Sequence, residues 1–260
     1  MTAGREDRDA LARDLEPVQA TFEDWGREDP LYAVLTRKAR RGNRWDPEEF
    51  FERGRVEIAE VVAYLGRLGL EVGRGRALDF GCGVGRLTQA LADHFDEAVG
   101  VDIAASMVER ARKLDRHGEK VRYVVNTAPD LAIFGDDTFD FVYSNKVLQH
   151  IPPLAVEAYV REFFRVLAPG GVAVFQMRSG PRIEPGTLRA RLYTLRRRTL
   201  RRLWKRLRGL APYEMHYLAR ARMEEVVAEA GATLVDVQDV SGGRAKSFRY
   251  CARAGYHSAQ

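Results

Sequence analysis

The sequence predicts an α/β fold in which helices cover both faces of a doubly wound, mainly parallel sheet of about seven strands. Three observations predict it. Short apolar runs alternate with helical patterns from Arg76 onward, as in repeated strand–helix–strand units. The first run ends in a cluster of glycines, and the last two runs are joined by a link too short for a helical crossover. The alternation predicts parallel strands, and the short link predicts an antiparallel last strand.

The predicted elements follow one another along the chain. Five strands are predicted at 76–80, 98–101, 121–125, 139–143 and 172–175, with helices after the glycine cluster, at about 104–113 and at about 153–167. A later helix is predicted at about 220–230, followed by strands at 233–237 and 247–251. The link at 238–246 has no helical pattern, so these two strands are expected to be antiparallel.

The composition is that of an ordinary globular chain. Its 260 residues are 45% hydrophobic and 30% charged, which excludes a disordered tail protein, a fibre and a disulfide-stapled peptide. The two cysteines, Cys82 and Cys251, are too few and too far apart for a disulfide framework or a zinc site. The sequence shows no secretory signal and no run of about 18 apolar residues. A cytoplasmic location is therefore expected.

The residues ahead of the first strand are predicted to be helical. Residues 1–74 are assigned to an N-terminal helical cap and residues 75–260 to the sheet domain. Asp46 followed by Pro47 and two glutamates predicts a helix start, since aspartate caps the first turn, proline fits its first position and acids favour its positive end.

The loop after the first strand predicts a ligand site. It reads Asp-Phe-Gly-Cys-Gly-Val-Gly-Arg over 79–86, and its glycines allow a ligand to lie against the backbone beside a helix N-terminus. The spacing is GxGxG, so a pyrophosphate binder, which needs GxGxxG, is disfavoured. Asp102 ends the second strand, where a carboxylate can accept hydrogen bonds from both ribose hydroxyls; the alternative for it is ordinary turn capping.

Four sequence motifs, taken in their order along the chain, resemble those of a known family. The stretches ALDFGCGVGRLTQAL, VGVDIAASMVERAR, FDFVYSNKVLQHIPP and RVLAPGGVAVFQ resemble the class I S-adenosylmethionine-dependent methyltransferases of the small-molecule type. The resemblance covers about residues 75–177 and the reversed terminal strand pair. It implies a Rossmann-like seven-stranded sheet, an enzyme and S-adenosylmethionine as the cofactor.

The resemblance also implies roles for particular residues. The loop after the first strand would hold the methionine part of the cofactor, through Asp79, Gly81, Cys82, Gly83, Gly85 and Arg86. Asp102 would bind the ribose, Ile103 and Met107 would flank the adenine, and Asn145, Lys146 and Val147 would lie beside the sulfonium. Asn126 and Thr127 stand where the family often has a Gly-Asp-Ala that contacts the adenine amine, so they would contact adenine without a formal charge.

The chemistry expected of this class is an in-line displacement, in which the protein aligns the groups and excludes water. A hydroxyl acceptor would benefit from a general base, and His150 is the first candidate. The alternative is that His150 packs under the cofactor and orients a loop. His216 is the second candidate for the base. The acids near Asp136 make a weak cation site at most, so no metal is expected.

Two variable segments are expected to select the acceptor. Trp45, in a basic turn before a helix, is interpreted either as part of a lid or as part of a helix packed on the sheet. The insertion at about 178–217 contains an amphipathic helix with eleven basic residues and one acid between Arg182 and Arg208. That segment carries +10, against +5 for the whole chain, so the remainder carries −5.

Four interpretations of the basic helix stay open. The helix either packs on the protein with a solvated basic face, or forms a lid that offers Arg197, Arg198 and Tyr213 to an anionic acceptor. Alternatively, it lies on a membrane surface or contacts nucleic acid. Nucleic acid is disfavoured because Tyr193 and Trp204 lie toward the apolar half rather than among the arginines.

The function predicted from the sequence is methyl transfer to a small or medium-sized acceptor, with oxygen as the preferred atom and nitrogen as the alternative. A sugar-containing or lipid-linked anion is preferred because the insertion is rich in arginine. The alternatives are an RNA or protein methyltransferase that docks through the same helix, and a catalytically silent binding protein on this fold.

Overall fold

The computed structural model describes residues 4–181, 214–242 and 245–255. Three helices precede the sheet: α1 (Arg5–Glu28), α2 (Pro30–Val34) and α3 (Pro47–Arg67). Four more follow or separate the strands: α4 (Arg86–Leu91), α5 (Ala105–Leu114), α6 (Pro153–Val166) and α7 (Arg220–Glu229). The strands are β1 (Arg76–Phe80), β2 (Glu97–Asp102), β3 (Val121–Val125), β4 (Phe139–Ser144), β5 (Leu167–Pro181), β6 (Ala232–Asp239) and β7 (Ala245–Ala254).

The sheet confirms the predicted fold class. Its order is β3-β2-β1-β4-β5-β7-β6, with β1 to β5 parallel and β7 antiparallel to both β5 and β6. The strand order reverses between β1 and β4, so the chain leaves these two strands in opposite directions and opens a crevice at their carboxyl ends. That crevice is where ligands bind in open α/β sheets, and it lies beside the glycine loop.

Apolar side chains bury both faces of the sheet. One core cluster joins β1, β2, β4 and β5 to α6 and α7, and a second joins the opposite face to α3 and α4. The helices cover the sheet on both sides, as the near-continuous apolar runs of β1, β4 and β5 require.

The longest strand differs from its prediction. The predicted strand at 172–175 lies inside β5, which begins directly after α6 and runs to Pro181. Its beginning pairs with β4 across a register shift between Phe139 and Phe141, and its end pairs with β7 as far as Ala245. The backbone partner supplied by β7 therefore extends β5 through residues that look like loop formers in the sequence.

Helix α3 begins where the sequence predicts, with Asp46 as its N-cap residue. The Asp46 carboxylate accepts a hydrogen bond from the Glu49 N–H at 2.8 Å, which satisfies one free donor of the first turn.

The division of the chain at residue 74 stays a prediction. The basic helix with Arg197, Arg198 and Tyr213 lies outside the described residues. Within the described ranges, no helix is both long and apolar enough to cross a membrane.

Candidate functional site

The glycine loop after β1 is bent so that two other segments contact its backbone. Gly81 has φ 76° and Gly83 has φ 53°, a left-handed conformation that favours glycine. A Cβ on Gly81 would lie 2.4 Å from the Val147 side chain, and one on Gly83 would lie 2.5 Å from Val34. The two glycines therefore let the loop after β4 and the end of α2 close over the end of β1.

A cavity of about 310 Å³ opens where these segments meet. The β1 loop, the end of β2, the loop after β4 and α1 supply its walls, with Arg178 and Met215 on the far side. The predicted site residues on its wall are Gly81, Gly83, Asp102, Ile103, Met107, Asn126, Asn145, Lys146, Val147 and His150. The structure thus brings together residues from three of the four motifs, with Asn126 beside them.

Asp102 holds the β1 and β2 loops together at this cavity. Its Oδ2 accepts a hydrogen bond from the Gly83 N–H at 2.8 Å, and its Oδ1 accepts one from the Ala104 N–H at 2.9 Å. Burial raises the pKa of Asp102 above its usual range, although these backbone donors oppose the shift. Each carboxylate oxygen keeps further acceptor capacity, so a diol at the cavity could bind both oxygens.

Asn126 lines the cavity, but its side-chain amide is engaged within its own turn. Its Nδ2 donates to the Asp130 carbonyl at 2.6 Å, and its Oδ1 accepts from the Ala128 N–H at 3.2 Å. Thr127 is exposed and does not line the cavity. This turn therefore shapes the wall through its backbone and through Asn126.

The loop after β4 is fixed by a partly buried glutamate that belongs to none of the four motifs. Glu57 of α3 accepts hydrogen bonds from Asn145 Nδ2 at 2.5 Å, Tyr143 Oη at 3.1 Å and Arg86 Nη2 at 2.9 Å. Lys146 follows with φ 64°, a strained conformation for a residue with a side chain. A signal existed in the sequence, since Glu57 is an acid beside the apolar stripe of α3.

Other predicted residues lie behind the loop rather than on the cavity wall. Asp79, Cys82, Gly85 and Arg86 are absent from that wall. Asp79 accepts a hydrogen bond from the Thr88 hydroxyl at 2.7 Å, and Arg86 pairs with Glu57. In the structure these four residues support the loop from beneath, and their predicted contact with the cofactor stays a prediction.

The two histidine candidates occupy different positions. His150 lines the cavity, whereas His216 does not, and the His216 N–H donates to the Gln149 carbonyl at 2.8 Å. His150 Nδ1 lies 3.2 Å from the Glu214 carbonyl oxygen, and Nε2 lies 3.3 Å from Gln149 Nε2. A carbonyl only accepts and an amide nitrogen only donates, so this geometry assigns the hydrogen to Nδ1.

Both ring nitrogens of His150 are therefore engaged. Burial lowers the pKa of His150 to about 4, so the ring is neutral near pH 7 and a weak proton acceptor. The Phe22 ring of α1 packs edge-on against it, with ring centroids 5.4 Å apart. This arrangement corresponds to the loop-orienting alternative for His150 more closely than to a general base.

Trp45 lies in the cap core and not on the cavity wall. Its ring packs edge-on against Phe50, and its indole N–H donates to the Leu35 carbonyl at 3.1 Å. The buried indole, packed between α3 and the turn before it, matches the alternative of a helix packed on the protein, and contact with an acceptor stays a prediction. The cap residues that do reach the cavity come from α1 and α2, which carry no motif: Leu15, Val18, Phe22, Ala33 and Val34.

No group of three potential metal-ligating side chains converges within the described parts of the chain. The cavity is instead apolar on its α1 side and polar at the strand ends. Such a site suits an organic ligand with a hydroxyl-bearing part and an apolar part.

Comparisons with known proteins agree with this geometry. Residues 78–175 match a family model described as a methyltransferase domain. A 2-methyl-6-phytyl-1,4-hydroquinone methyltransferase of Synechocystis sp. is 28% identical over 61% of this chain and 50% of its own. A trans-aconitate 2-methyltransferase of Methylobacterium radiotolerans is 35% identical over 51% of this chain and 49% of its own. The chain spans about half the length of these curated relatives.

A solved structure shares the Rossmann-like fold. Magnesium protoporphyrin IX methyltransferase of Synechocystis PCC 6803, with bound SAH, has a TM-score of 0.61 and 20% identity, covering 93% of this chain and all of its own. The sheet order, the glycine loop and the family match over residues 78–175 support a class I S-adenosylmethionine-dependent methyltransferase, with S-adenosylmethionine as the cofactor. These findings agree with the resemblance that the four motifs carry.

Proposed function

We propose that the chain transfers a methyl group from S-adenosylmethionine to an oxygen of a small or medium-sized anionic acceptor, sugar-containing or lipid-linked. One observation carries the methyl-transfer part: Asp102 stands at the cavity between the ends of β1 and β2, with both oxygens oriented by loop backbone. The relatives named above methylate a hydroquinone and an aconitate by their names, which supports a small acceptor.

The residues present fit the cofactor. Asp102 would accept hydrogen bonds from the ribose hydroxyls, and Ile103 and Met107 would flank the adenine. Gly81 and Gly83 line the cavity, and the methionine part would lie against the backbone of this loop. The residues after β4 would lie beside the sulfonium.

When bound, S-adenosylmethionine supplies a methyl group activated by a positive sulfur. The chain has to align the acceptor and exclude water. Leu15, Val18 and Phe22 of α1 form an apolar cover that would exclude water. The hydrogen bonds from Asn145 and Tyr143 to Glu57 fix the loop after β4, which would help to align the acceptor.

We assign His150 to positioning rather than to proton transfer. It links the loop after β4 to Glu214 and packs against Phe22, so it connects three walls of the cavity. A general base would then have to come from another group or from the acceptor itself, because only an oxygen that is already ionised needs none. His216 stays a second candidate for a proton acceptor.

The alternatives receive less support. The predicted docking helix for RNA or protein lies outside the described residues, and the cavity has the size and apolar lining of a small-molecule site. A silent binding protein would have no use for Asp102 and the glycine loop in this arrangement. A cytoplasmic location and a membrane contact through the basic helix stay predictions.

Calorimetric titration with S-adenosylhomocysteine tests the cofactor site. We expect micromolar binding, weakened tenfold or more by Asp102→Ala, which corresponds to about 1.4 kcal/mol. Asp96→Asn is the matched control, because this exposed acid lies at the amino end of β2, whereas Asp102 lies at its carboxyl end. Absence of binding by the wild type, or equal weakening by both variants, would contradict the assignment.

A further inference from the structure

A second cavity, of about 600 Å³, lies next to the first and shares two residues with it. Asn145 and Lys146 line both cavities. The second cavity extends from them between α3 and the edge formed by β5 and β7, where Gln176 and Arg249 stand. Nothing in the class assignment accounts for this cavity.

The charges on its wall are unevenly paired. Glu49 pairs with Arg40 and Arg53, Glu52 pairs with Arg55, and Glu57 pairs with Arg86. Three cations on the same wall, Arg37, Lys146 and Arg249, have no carboxylate within ion-pairing distance in the described part of the chain. Glu60, at the exposed rim, is the one lining acid that lacks a described ion pair.

The buried polar network at the base of the cavity does not neutralise these cations. Burial alone would raise the pKa of Glu57, but Arg86, the Asn145 amide and Lys146 outweigh it and hold that pKa below its usual range. Glu57 is therefore a carboxylate with Arg86 already paired to it. Lys146 and Arg249 both face this centre, so the base of the cavity keeps an excess of positive charge.

Apolar side chains stand beside the cations. Val56 is 49% exposed and Val240 is 36% exposed, and both line this cavity together with Leu35. Burying such surfaces against an apolar group favours binding of that group. The wall therefore matches a ligand with an anionic group attached to an apolar body.

We propose that the second cavity binds the carboxylate end of an amphipathic acceptor. Arg37, Lys146 and Arg249 hold the carboxylate, while Leu35, Val56 and Val240 contact the apolar body. The reacting end of the acceptor passes Asn145 into the first cavity. This inference rests on the proposed function for the identity of the ligand as the acceptor, whereas the anion site itself stands on the second cavity alone.

A matched pair of probes tests the anion site. We would follow backbone NMR signals while titrating 4-phenylbutyrate, or 4-phenylbutanol as its uncharged counterpart, with and without S-adenosylhomocysteine. We expect the acid to bind at least tenfold more tightly than the alcohol. The largest shifts are expected around Val56, Val240 and Arg249, and added salt should weaken binding of the acid.

Two charge variants locate the effect. Arg249→Gln and Arg37→Gln should each weaken 4-phenylbutyrate three- to tenfold and leave 4-phenylbutanol unchanged. Arg67→Gln, which removes an exposed charge at the end of α3 away from the cavity, should change neither. Arg37 lies in an exposed turn, so its variant keeps the test valid even if Arg249→Gln unfolds the chain.

The outcomes separate the two proposals. Equal binding of acid and alcohol, shifts confined to the first cavity, or an Arg37→Gln variant that behaves like Arg67→Gln would overturn the anion site. Loss of S-adenosylhomocysteine binding by the wild type would overturn the proposed function instead. Acid binding at the second cavity that survives such a loss would retain the anion site without its assignment to an acceptor.

Discussion

Asp79 is a carboxyl group held where ionisation is costly. It is 1% exposed, and its one described hydrogen-bond donor is the Thr88 hydroxyl. Burial raises the pKa of Asp79 to about 7, against the opposing effects of Thr88 and Arg86. The acid therefore supports the glycine loop near neutral pH partly in its protonated form.

This pKa predicts how stability depends on pH. The folded-state pKa is raised above the unfolded value, so the folded chain binds one more proton between about pH 4 and pH 7. The free energy of unfolding should fall as pH rises through that window, by up to about 1.4 kcal/mol per pH unit from this group. Asp79→Asn removes the dependence and keeps an acceptor for Thr88.

Urea unfolding at pH 5.0 and pH 7.5 measures the effect. We expect Asp79→Asn to lose less stability than the wild type over this interval. Asp96→Asn, an exposed acid, serves as the control and should follow the wild type. Parallel pH dependences for wild type and Asp79→Asn would show that Asp79 is ionised throughout.

The residues that the sequence predicted well are those whose role follows from local chain geometry. Gly81, Gly83 and Asp102 sit at strand ends, and a strand end followed by a helix places them at the crevice whatever the rest of the chain does. Glu57 and Phe22 reach the same place through tertiary packing of helices that carry no motif. The sequence marks Glu57 as an acid beside an apolar stripe, but it does not show which loop that acid reaches.

Helix α3 is pressed against α4 at one glycine. A Cβ on Gly54 would lie 2.4 Å from the Arg86 carbonyl oxygen, in the stretch of α3 that also presents Glu57. This close approach lets Glu57 reach Asn145 and Tyr143. The position of α3 thus sets the position of the loop after β4.

A pair of alanine substitutions in α3 tests this packing. Gly54→Ala should destabilise the chain by about 1–3 kcal/mol, because backbone atoms have to move to admit the methyl group. It should also weaken S-adenosylhomocysteine, since Glu57 moves with the helix. Gly66→Ala lies in the same helix with open space around it and should be neutral or stabilise by a few tenths of a kcal/mol.

Thermal unfolding and calorimetry measure both variants. Equal effects of the two substitutions on melting temperature would mean that α3 is free to shift away from α4. Destabilisation by Gly54→Ala with unchanged S-adenosylhomocysteine affinity would separate stability from the site, contrary to the role assigned to Glu57.

Among the secondary-structure elements, the periodicity of the sequence predicted which segments are strands and which are helices. It did not predict the length of β5. Ser179, Gly180 and Pro181 look like a loop in the sequence, and a proline cannot donate to a strand ladder. The structure admits them because β5 pairs with β4 only as far as Phe175, so its last residues pair with β7 alone and form an edge. Which strand lies beside which is a property of the assembled sheet.

On the scale of the molecule, the cap is tied to the sheet domain through two of its helices. α3 packs on α4, and α1 packs on α5, where Glu23 Oε1 accepts a hydrogen bond from the Ala105 N–H at 2.5 Å. Glu23 Oε2 accepts another from the Ser106 N–H at 3.2 Å. An acid of α1 thus caps the positive end of α5 and holds the apolar cover over the first cavity.

Hydrogen exchange should detect this coupling between the cap and the cofactor site. We expect S-adenosylhomocysteine to slow amide exchange across α1, because Leu15, Val18 and Phe22 line the cavity that it fills. Glu23→Ala removes the acid that caps α5, at a cost of about 0.5–2 kcal/mol, and should reduce the ligand-induced protection of α1. Glu16→Ala changes an exposed acid of the same helix and should leave that protection intact. Protection confined to the β1 and β2 loops, with none in α1, would show that the cap is rigid without ligand or takes no part in binding it. Equal protection in the Glu23 and Glu16 variants would show that α1 is held by its apolar contacts alone.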